Sequence, residues 1–344
     1  MVDPSHFRHR IIAYWLFLLC GMVFVMIVLG GVTRLTHSGL SMVEWKPLSG
    51  WLPPLNEGEW NDIFAKYKQF PEYIKENAGM TLAEFKSIFW LEFLHRLWGR
   101  IMGVVFLIPF MFFFIKGWVG RTLAPKLIVA FVLGGLQGVL GWYMVKSGLV
   151  DRPDVSQYRL TAHLGAALVI YGYMFWIALS LLHPRAEGGA PFLRRFAFGL
   201  TAFLFLTILS GGFVAGLDAG FGYNTFPLMD GDFIPPDLFS MDPVWINLFE
   251  NRITVQFDHR LLAESFVMAV LVFWFISRRR NLTRRQQLAA SWLVVAMTLQ
   301  VALGISTLLL VIPVHLAATH QAGAVVLFTV ALWQNHEFRL SPEI

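Results

Sequence analysis

The sequence predicts an all-α membrane protein with eight transmembrane helices, arranged as two tandem four-helix bundles related by a pseudo-twofold axis. Three observations lead to this prediction. Of the 344 residues, 56% are hydrophobic and only 14% are charged, whereas soluble domains carry about a quarter charged residues. Eight apolar runs are each long enough to cross about 30 Å of hydrocarbon as a helix. Several motifs of the first half of the chain recur in the second half.

The eight predicted spans are distributed over the whole chain. They lie at 11–33, 88–115, 125–146, 158–182, 194–216, 254–277, 287–310 and 314–335. The first run is too long for the apolar core of a signal peptide, and no small-residue cleavage site follows it. Pro313 predicts the break between the last two spans, because the residue before a proline disfavours the helical conformation. Between the first two spans, NEGEWNDIFAKYKQFPEYIKE (56–76) predicts shorter amphipathic pieces.

The distribution of basic residues predicts that both termini are cytoplasmic. With that orientation, the cytoplasmic segments carry twice as many Lys and Arg residues as the outer loops 35–87, 147–157 and 217–253, as the positive-inside rule requires. The basic stretch SRRRNLTRRQQ (277–287) is then a topology signal, and no nucleic-acid partner is expected. The lipid bilayer is the expected surrounding. The single cysteine, Cys20, excludes an internal disulfide and a thiolate-ligated metal cluster.

The two halves of the chain share three motifs in the same order. The matches are GGVTRL…PLSGWLPP (30–54) with GGFVAGL…PLMDGDFIPP (211–236), EFLHRLWGR (92–100) with QFDHRLLAE (256–264), and TAHLGAALVI (161–170) with ATHQAGAVVL (318–327). Repeats of the same topology imply a twofold pseudo-axis along the membrane normal. We therefore predict an N-terminal bundle at 1–182 and a C-terminal bundle at 196–344. The cytoplasmic segment 183–195 joins them, and its Pro and Gly residues suit a hinge.

The duplication singles out four histidines on four different spans. They are His95, His163, His259 and His320. Each lies in about the first two turns of a helix that runs inward, so all four are expected near the outer side of the membrane. Two facing imidazoles in a four-helix bundle suit bis-histidine ligation of a haem iron. Without repeated carboxylates they suit zinc less well, since zinc usually takes three or four protein ligands. A hydrogen-bonded structural role is the alternative for each histidine taken alone.

Three arginines accompany these histidines. Arg96 and Arg260 directly follow a histidine of the set, and Arg159 precedes another by one turn. Guanidinium groups recognise carboxylates with two parallel hydrogen bonds, so these side chains are candidates to bind haem propionates. Snorkelling to lipid headgroups is an equally good interpretation of each arginine taken singly.

The two halves differ at the position one turn before the first histidine of each. Glu92 lies there in the first half, on the same helix face as His95, and Gln256 replaces it in the second half. A carboxyl at membrane depth is costly and is a functional candidate by default. An ion pair with Arg96, four residues on, is the structural alternative. Because glutamine carries no titratable proton, we predict that the N-terminal half reacts and the C-terminal half holds a permanent haem.

These features together resemble the haem A synthase family over nearly the whole chain. The resemblance rests on the EFLHR, TAHLG, QFDHR and ATHQ stretches and on the repeated GG…PP segments. It implies a membrane oxidoreductase that converts a ring methyl of haem O to a formyl group by successive hydroxylations, giving haem A for cytochrome c oxidase. It implies that His259 and His320 ligate a haem b cofactor. It also implies that His95 and His163 face the iron of the substrate, haem O, and that Glu92 is the family's essential acid.

The resemblance also implies a location and partners. We expect the bacterial cytoplasmic (inner) membrane, with the haem sites toward the outer face. Haem O synthase (the protohaem farnesyltransferase) and cytochrome c oxidase assembly factors are the expected partners, and a homo-oligomer is compatible with the sequence, which identifies no redox partner. Some family members carry a cysteine pair in the first outer loop, which 35–87 lacks, so any thiol-dependent step is absent or supplied otherwise. A dihaem b-type electron-transfer cytochrome and a haem carrier stay open as alternative functions.

Overall fold

The regular structure of the chain is helical. The computed structural model describes residues 4–45, 49–148, 155–184, 188 and 191–339. Within these ranges there is no β-strand, only an isolated bridge between Met229 and Asp232. The α-helices are α1 (Pro4–Leu35), α2 (Glu57–Tyr67), α3 (Pro71–Lys75), α4 (Leu82–Ile115), α5 (Ala124–Gly148), α6 (Gln157–Leu182), α7 (Pro191–Gly216), α8 (Asn247–Glu250), α9 (Arg252–Arg278), α10 (Arg284–Leu309) and α11 (Val314–Glu337).

Eight of the described helices are long and apolar enough to cross a membrane. They are α1, α4, α5, α6, α7, α9, α10 and α11, and they coincide with the eight predicted spans. The prediction of an all-α, multi-pass membrane protein is thus confirmed. The cytoplasmic position of both termini stays a prediction. In the predicted outer loop 147–157, residues 149–154 lie outside the described ranges.

The two amphipathic pieces predicted in the first outer loop are α2 and α3. The buried face of α2 consists of Trp60, Phe64 and Tyr67. These rings pack with Phe85 and Phe89 of α4 in one aromatic cluster. Burial of aromatic area of this kind is a large source of stability, so the cluster fastens the loop helix to the start of the second span.

Capping residues set the starts of α4 and α10. Thr81 and Glu84 form a capping box, in which each side chain binds the backbone of the other, so α4 begins at Leu82, earlier than predicted. Thr283 and Gln286 form the same box at the start of α10.

The break between α10 and α11 occurs where Pro313 predicts it. Pro313 is the N-cap of α11. The two residues before it, Val311 and Ile312, have left-handed φ values of 59° and 56°. Such values are unusual for β-branched residues, and they reverse the chain within a very short turn.

By its internal contacts the chain forms two compact units. One comprises Gly21–Ile170 and contains α2 to α5; the other comprises Met1–Cys20 with Tyr171–Ile344 and contains α7 to α11. Each histidine pair predicted from the sequence lies within one unit. His95 and His163 belong to the first, and His259 and His320 belong to the second.

The division into tandem bundles at 1–182 and 196–344 stays a prediction. Much of the predicted linker 183–195, namely 185–187 and 189–190, lies outside the described residues.

Candidate functional site

Each of the four predicted histidines packs its ring against a glycine of the preceding span. The pairs are Gly30–His95, Gly141–His163, Gly211–His259 and Gly304–His320. A Cβ built on these glycines would lie 2.8–3.2 Å from a ring atom, closer than ordinary van der Waals contact. Only glycine therefore leaves each ring its space. The four histidines thus share one arrangement, a ring packed on a glycine of the preceding span, which we call the glycine frame. Sequence reasoning missed it.

The structure brings the histidines together in the predicted pairs. His163 is a neighbour of His95, and His320 is a neighbour of His259. All four residues are half-buried. Among the described residues, no third His, Cys, Asp or Glu joins either pair in a group that could hold a metal ion. Each site thus offers two imidazoles, which is fewer ligands than zinc usually takes.

In the second unit, both histidine rings have a polar partner at Nδ1. Ser210 Oγ lies 2.8 Å from His259 Nδ1. The hydroxyl donates its own proton to Thr207 O at 2.7 Å, so Oγ is the acceptor for Nδ1–H. The side-chain amide of Gln300 lies 3.1 Å from His320 Nδ1 and 2.9 Å from the His320 carbonyl oxygen. The hydrogen bond from Nδ1–H to Ser210 orients the His259 ring and leaves its Nε2 atom for a metal. Because the Gln300 amide is a donor, Nδ1 of His320 is the acceptor, and this contact orients the ring only.

In the first unit, these ring partners are missing among the described residues. Gln137 donates to the carbonyl oxygen of His163 at 2.8 Å, but the Nδ1 atom of His163 is buried without a hydrogen-bond partner. At the repeat position of Ser210 the first half has Leu29, whose side chain offers His95 no hydrogen bond. Packing, rather than hydrogen bonding, therefore holds both rings of this pair.

Glu92 is 2% exposed, and both of its carboxylate oxygens are engaged. Oε2 accepts from Ser41 Oγ and from the Met42 N–H, each at 2.7 Å, and Oε1 forms an ion pair with Arg96. The Arg96 guanidinium also donates to Met42 O at 2.9 Å and to Glu44 O at 3.0 Å. The ion pair that sequence reasoning weighed as the structural alternative is present, and together the two side chains clamp the start of the first outer loop.

The second half repeats this clamp with an amide in place of the acid. Gln256 accepts from the Tyr223 N–H at 3.3 Å and donates to Tyr223 O at 2.9 Å. Arg260 donates to Tyr223 O at 2.8 Å and to Thr225 O at 2.9 Å. Tyr223 and Thr225 occupy the repeat positions of the two residues whose carbonyls bind Arg96. Both arginines therefore bind loop carbonyls, and their contact with propionates stays a prediction.

Two further contacts involve charged residues near the first histidine pair. Arg159 Nη2 lies 3.4 Å from Tyr143 Oη, and its guanidinium stacks 4.7 Å from the centroid of that ring. Its contact with a propionate also stays a prediction.

In the first outer loop, Lys66 donates to the Glu44 carboxylate at 2.5 Å, and this hydrogen bond raises the pKa of Lys66. The clamped loop residue is thus tied to α2 as well.

Comparison with known proteins places the chain in a family. A family model described as COX15-CtaA, cytochrome oxidase assembly protein, matches residues 13–332. The chain belongs to this family. A relative from Nitrosospira multiformis, named Heme A synthase, is 57% identical over 98% of this chain and 96% of its own length. One of the same name from Paramagnetospirillum magneticum is 54% identical over 97% and 96%, respectively. Heme A synthase COX15 of Bos taurus is 49% identical over 99% and 85%.

The residues of this COX15-CtaA member fit a haem iron at both histidine pairs. The glycine frames leave each ring its place, and all four histidines are half-buried. Arg260 Nε is buried and has no hydrogen-bond partner among the described residues, which is a donor that a propionate would satisfy. The Ser210 partner at Nδ1 of His259 makes the fit to a firmly bound haem better for the second pair than for the first.

Proposed function

We propose that this protein is a haem A synthase. It oxidises a ring methyl of haem O to a formyl group by successive hydroxylations and supplies haem A for cytochrome c oxidase. One observation carries the proposal: two histidine pairs share the same glycine frame, yet only one pair has Nδ1 partners. This inequality suits one resident haem and one exchanging haem. The names of the relatives support the reaction.

His259 and His320 are the proposed ligands of the resident haem b. When bound, this group supplies one-electron redox chemistry at its iron. Ser210 accepts from His259 Nδ1–H, and such an outer partner typically contributes about 10- to 100-fold in metal affinity. Gln300 donates to His320 at Nδ1 and at its carbonyl oxygen and so orients that ring. Arg260 is the proposed propionate partner, since its buried Nε lacks an acceptor among the described residues.

His95 and His163 are the proposed residues that face the iron of the substrate, haem O. Rings without Nδ1 partners bind a metal less firmly, which suits a haem that must enter and leave. Arg96 and Arg159 are the proposed propionate partners here. Each guanidinium has five N–H donors, so Arg96 keeps donors beyond those that bind Glu92 and the loop carbonyls.

Glu92 is the proposed acid of the reaction. Its Oε2 atom is the place where a proton would be held or exchanged, and the Ser41 hydroxyl, at 2.7 Å, is the neighbouring proton carrier. Proximity to His95, one helical turn away, puts the carboxyl on the substrate side of α4. Through the same contacts Glu92 also orients the outer-loop segment that begins at Ser41.

The proposed location is the bacterial cytoplasmic membrane, with both termini cytoplasmic and the histidine pairs toward the outer face. The excess of basic residues in the inner segments and the bacterial relatives support it. Haem O synthase is the proposed source of substrate, and cytochrome c oxidase assembly factors are the proposed recipients of product. A homo-oligomer is compatible with this role.

Extraction of haems after expression with a haem O source tests the proposed function. Chromatography should show haem A for the unaltered protein, and haem b without haem A for His95→Ala. His315→Ala, which changes an exposed histidine at the start of α11, is the matched control and should still give haem A. Two equivalents of unaltered haem b would instead favour a dihaem cytochrome. Stoichiometric, unaltered haem O would favour a carrier.

A further inference from the structure

The unit that contains His259 and His320 also has a cavity near the opposite end of its helices. The cavity measures about 550 Å³ and is lined by Trp176, Arg194, Arg195, Phe198, Asn335 and Arg339. His320 lies in the first half of α11, whereas Arg339 follows the last residue of that helix. At 1.5 Å per residue the two are roughly 28 Å apart along the axis. The cavity is therefore separate from the histidine site and lies near the other end of the helices.

Three arginines line this cavity, and none of its described lining residues is acidic. Arg194 and Arg195 lie near the start of α7, whose first turn contains no Asp or Glu. A helix N-terminus carries a partial positive charge. Arginines placed there make the electrostatic potential more positive, and a bound anion is stabilised by it. Among the described residues, neither arginine is engaged in an ion pair. Arg194 and Arg195 thus bring to the cavity positive charge that none of its described lining residues balances.

Arg339 is oriented by a buried network. Its guanidinium donates to the Nδ1 atom and the carbonyl oxygen of His336 at 2.8 and 2.6 Å, and to the carbonyl oxygen of His183. Glu337, two residues earlier, is 1% exposed and accepts from Arg285 at 2.7 Å. Because that carboxylate is already paired, it does not neutralise the cavity. A fixed guanidinium is the arrangement that binds a phosphate with little loss of side-chain entropy.

The rest of the cavity wall is aromatic. Phe198 lies on a membrane-spanning helix and is 66% exposed. Trp176 packs edge-on against the buried His336 ring, with the two ring centroids 5.0 Å apart. Trp176 lies in the second half of α6, and tryptophan is enriched in spans near the boundary between headgroups and hydrocarbon. Charge and apolar surface therefore adjoin within one cavity.

We propose that this cavity binds an anionic phospholipid. Arg194, Arg195 and Arg339 bind the phosphate of the headgroup, since guanidinium forms charge-assisted, bidentate hydrogen bonds with phosphate oxygens. An acyl chain lies along Phe198. Basic pockets between spanning helices bind lipid headgroups in this way at the cytoplasmic leaflet, which is the leaflet that the orientation proposed above gives this cavity. The lipid ties the inner ends of α7 and α11 together.

Lipid binding to the full-length protein in detergent tests the proposal, with bound lipids counted by native mass spectrometry. Phosphatidylglycerol should bind at least about tenfold more tightly than phosphatidylcholine, because both carry the phosphate but the choline cation would lie beside like charges. Arg194→Gln with Arg195→Gln should weaken phosphatidylglycerol binding by about 10- to 100-fold. Arg278→Gln with Arg280→Gln removes the same charge from exposed positions outside the cavity and should leave binding unchanged.

Several outcomes would overturn the proposal. Equal affinity for the two lipids, or an equal loss in both double variants, would mean that the cavity does not select an anionic lipid. Competition by inorganic phosphate at similar affinity would show a phosphate site without a lipid component. If the double variant in the cavity fails to fold, Arg195→Gln alone decides the matter, because Arg195 is exposed and its replacement disturbs no packing.

Discussion

Replacement of Gly211 by alanine should displace the His259 ring and weaken haem binding. The added Cβ would lie 3.1 Å from His259 Cε1, whereas ordinary contact begins at 3.4 Å, so the ring or the helix must move by about 0.3 Å. Metal–ligand distances tolerate only about 0.2 Å. Overpacking of this kind costs about 1–3 kcal/mol, which corresponds to roughly 5- to 150-fold weaker haem retention.

Gly199→Ala on the same helix is the matched control, because a Cβ there meets nothing within 4 Å. Both substitutions gain about 0.5–1 kcal/mol from the replacement of a mid-helix glycine, so a difference between them reports the ring contact. The assay is the rate at which the purified, haem-loaded protein loses haem to an excess of apo-myoglobin, followed by absorbance. Equal rates for Gly211→Ala and Gly199→Ala would refute the reasoning.

Three other substitutions test the remaining contacts. Ser210→Ala should lower haem b affinity by roughly 10- to 100-fold in a spectroscopic titration, and an unchanged affinity would show that the Nδ1 partner is dispensable. Glu92→Gln should keep the loop clamp, since Gln256 forms it in the second half, but should abolish haem A in extracts; full conversion would disprove the acid's role. Arg96→Lys should speed amide hydrogen exchange in 41–45, because an ammonium cannot reproduce the guanidinium geometry. Unaltered exchange there would contradict the clamp.

Hydropathy was sufficient to predict the spans, because a chain in hydrocarbon must satisfy its backbone hydrogen bonds internally and a helix does so. One clear shift is the early start of α4. Thr81 and Glu84 form a capping box there, and the TLAE sequence carries the signature of that box. A prediction from apolar residues alone does not include polar capping residues, so the predicted start of this helix lay too late in the chain.

The repeat made the histidines predictable, but their surroundings were harder to foresee. Glycine is frequent in spanning helices, so Gly141 and Gly304 attracted no notice alone. Their stretches, LQGVLG (136–141) and LQVALG (299–304), form a fourth match between the halves and also contain the glutamines that bind the histidine carbonyls. Comparison of these two stretches would have revealed both features.

The direction of the Arg96 side chain could not be predicted from the sequence. The sequence is equally compatible with three acceptors for a guanidinium that follows the histidine: a propionate, a lipid headgroup or a loop carbonyl. The choice depends on where the outer-loop backbone lies, which is a tertiary property. The carbonyls of Met42 and Glu44 are within 3.0 Å of Arg96, and this contact places the loop at the mouth of the span.

The paired clamps decide where the protein would accept foreign sequence. Segments 41–45 and 223–225 are bound to spanning helices through their own backbone atoms, so an epitope tag or a fluorescent reporter inserted within them would lengthen the chain between fixed points. Leu52, by contrast, is 73% exposed and lies beyond the first clamp. For labelling or tethering this protein from the loop side, the stretch around Leu52 is the position of choice.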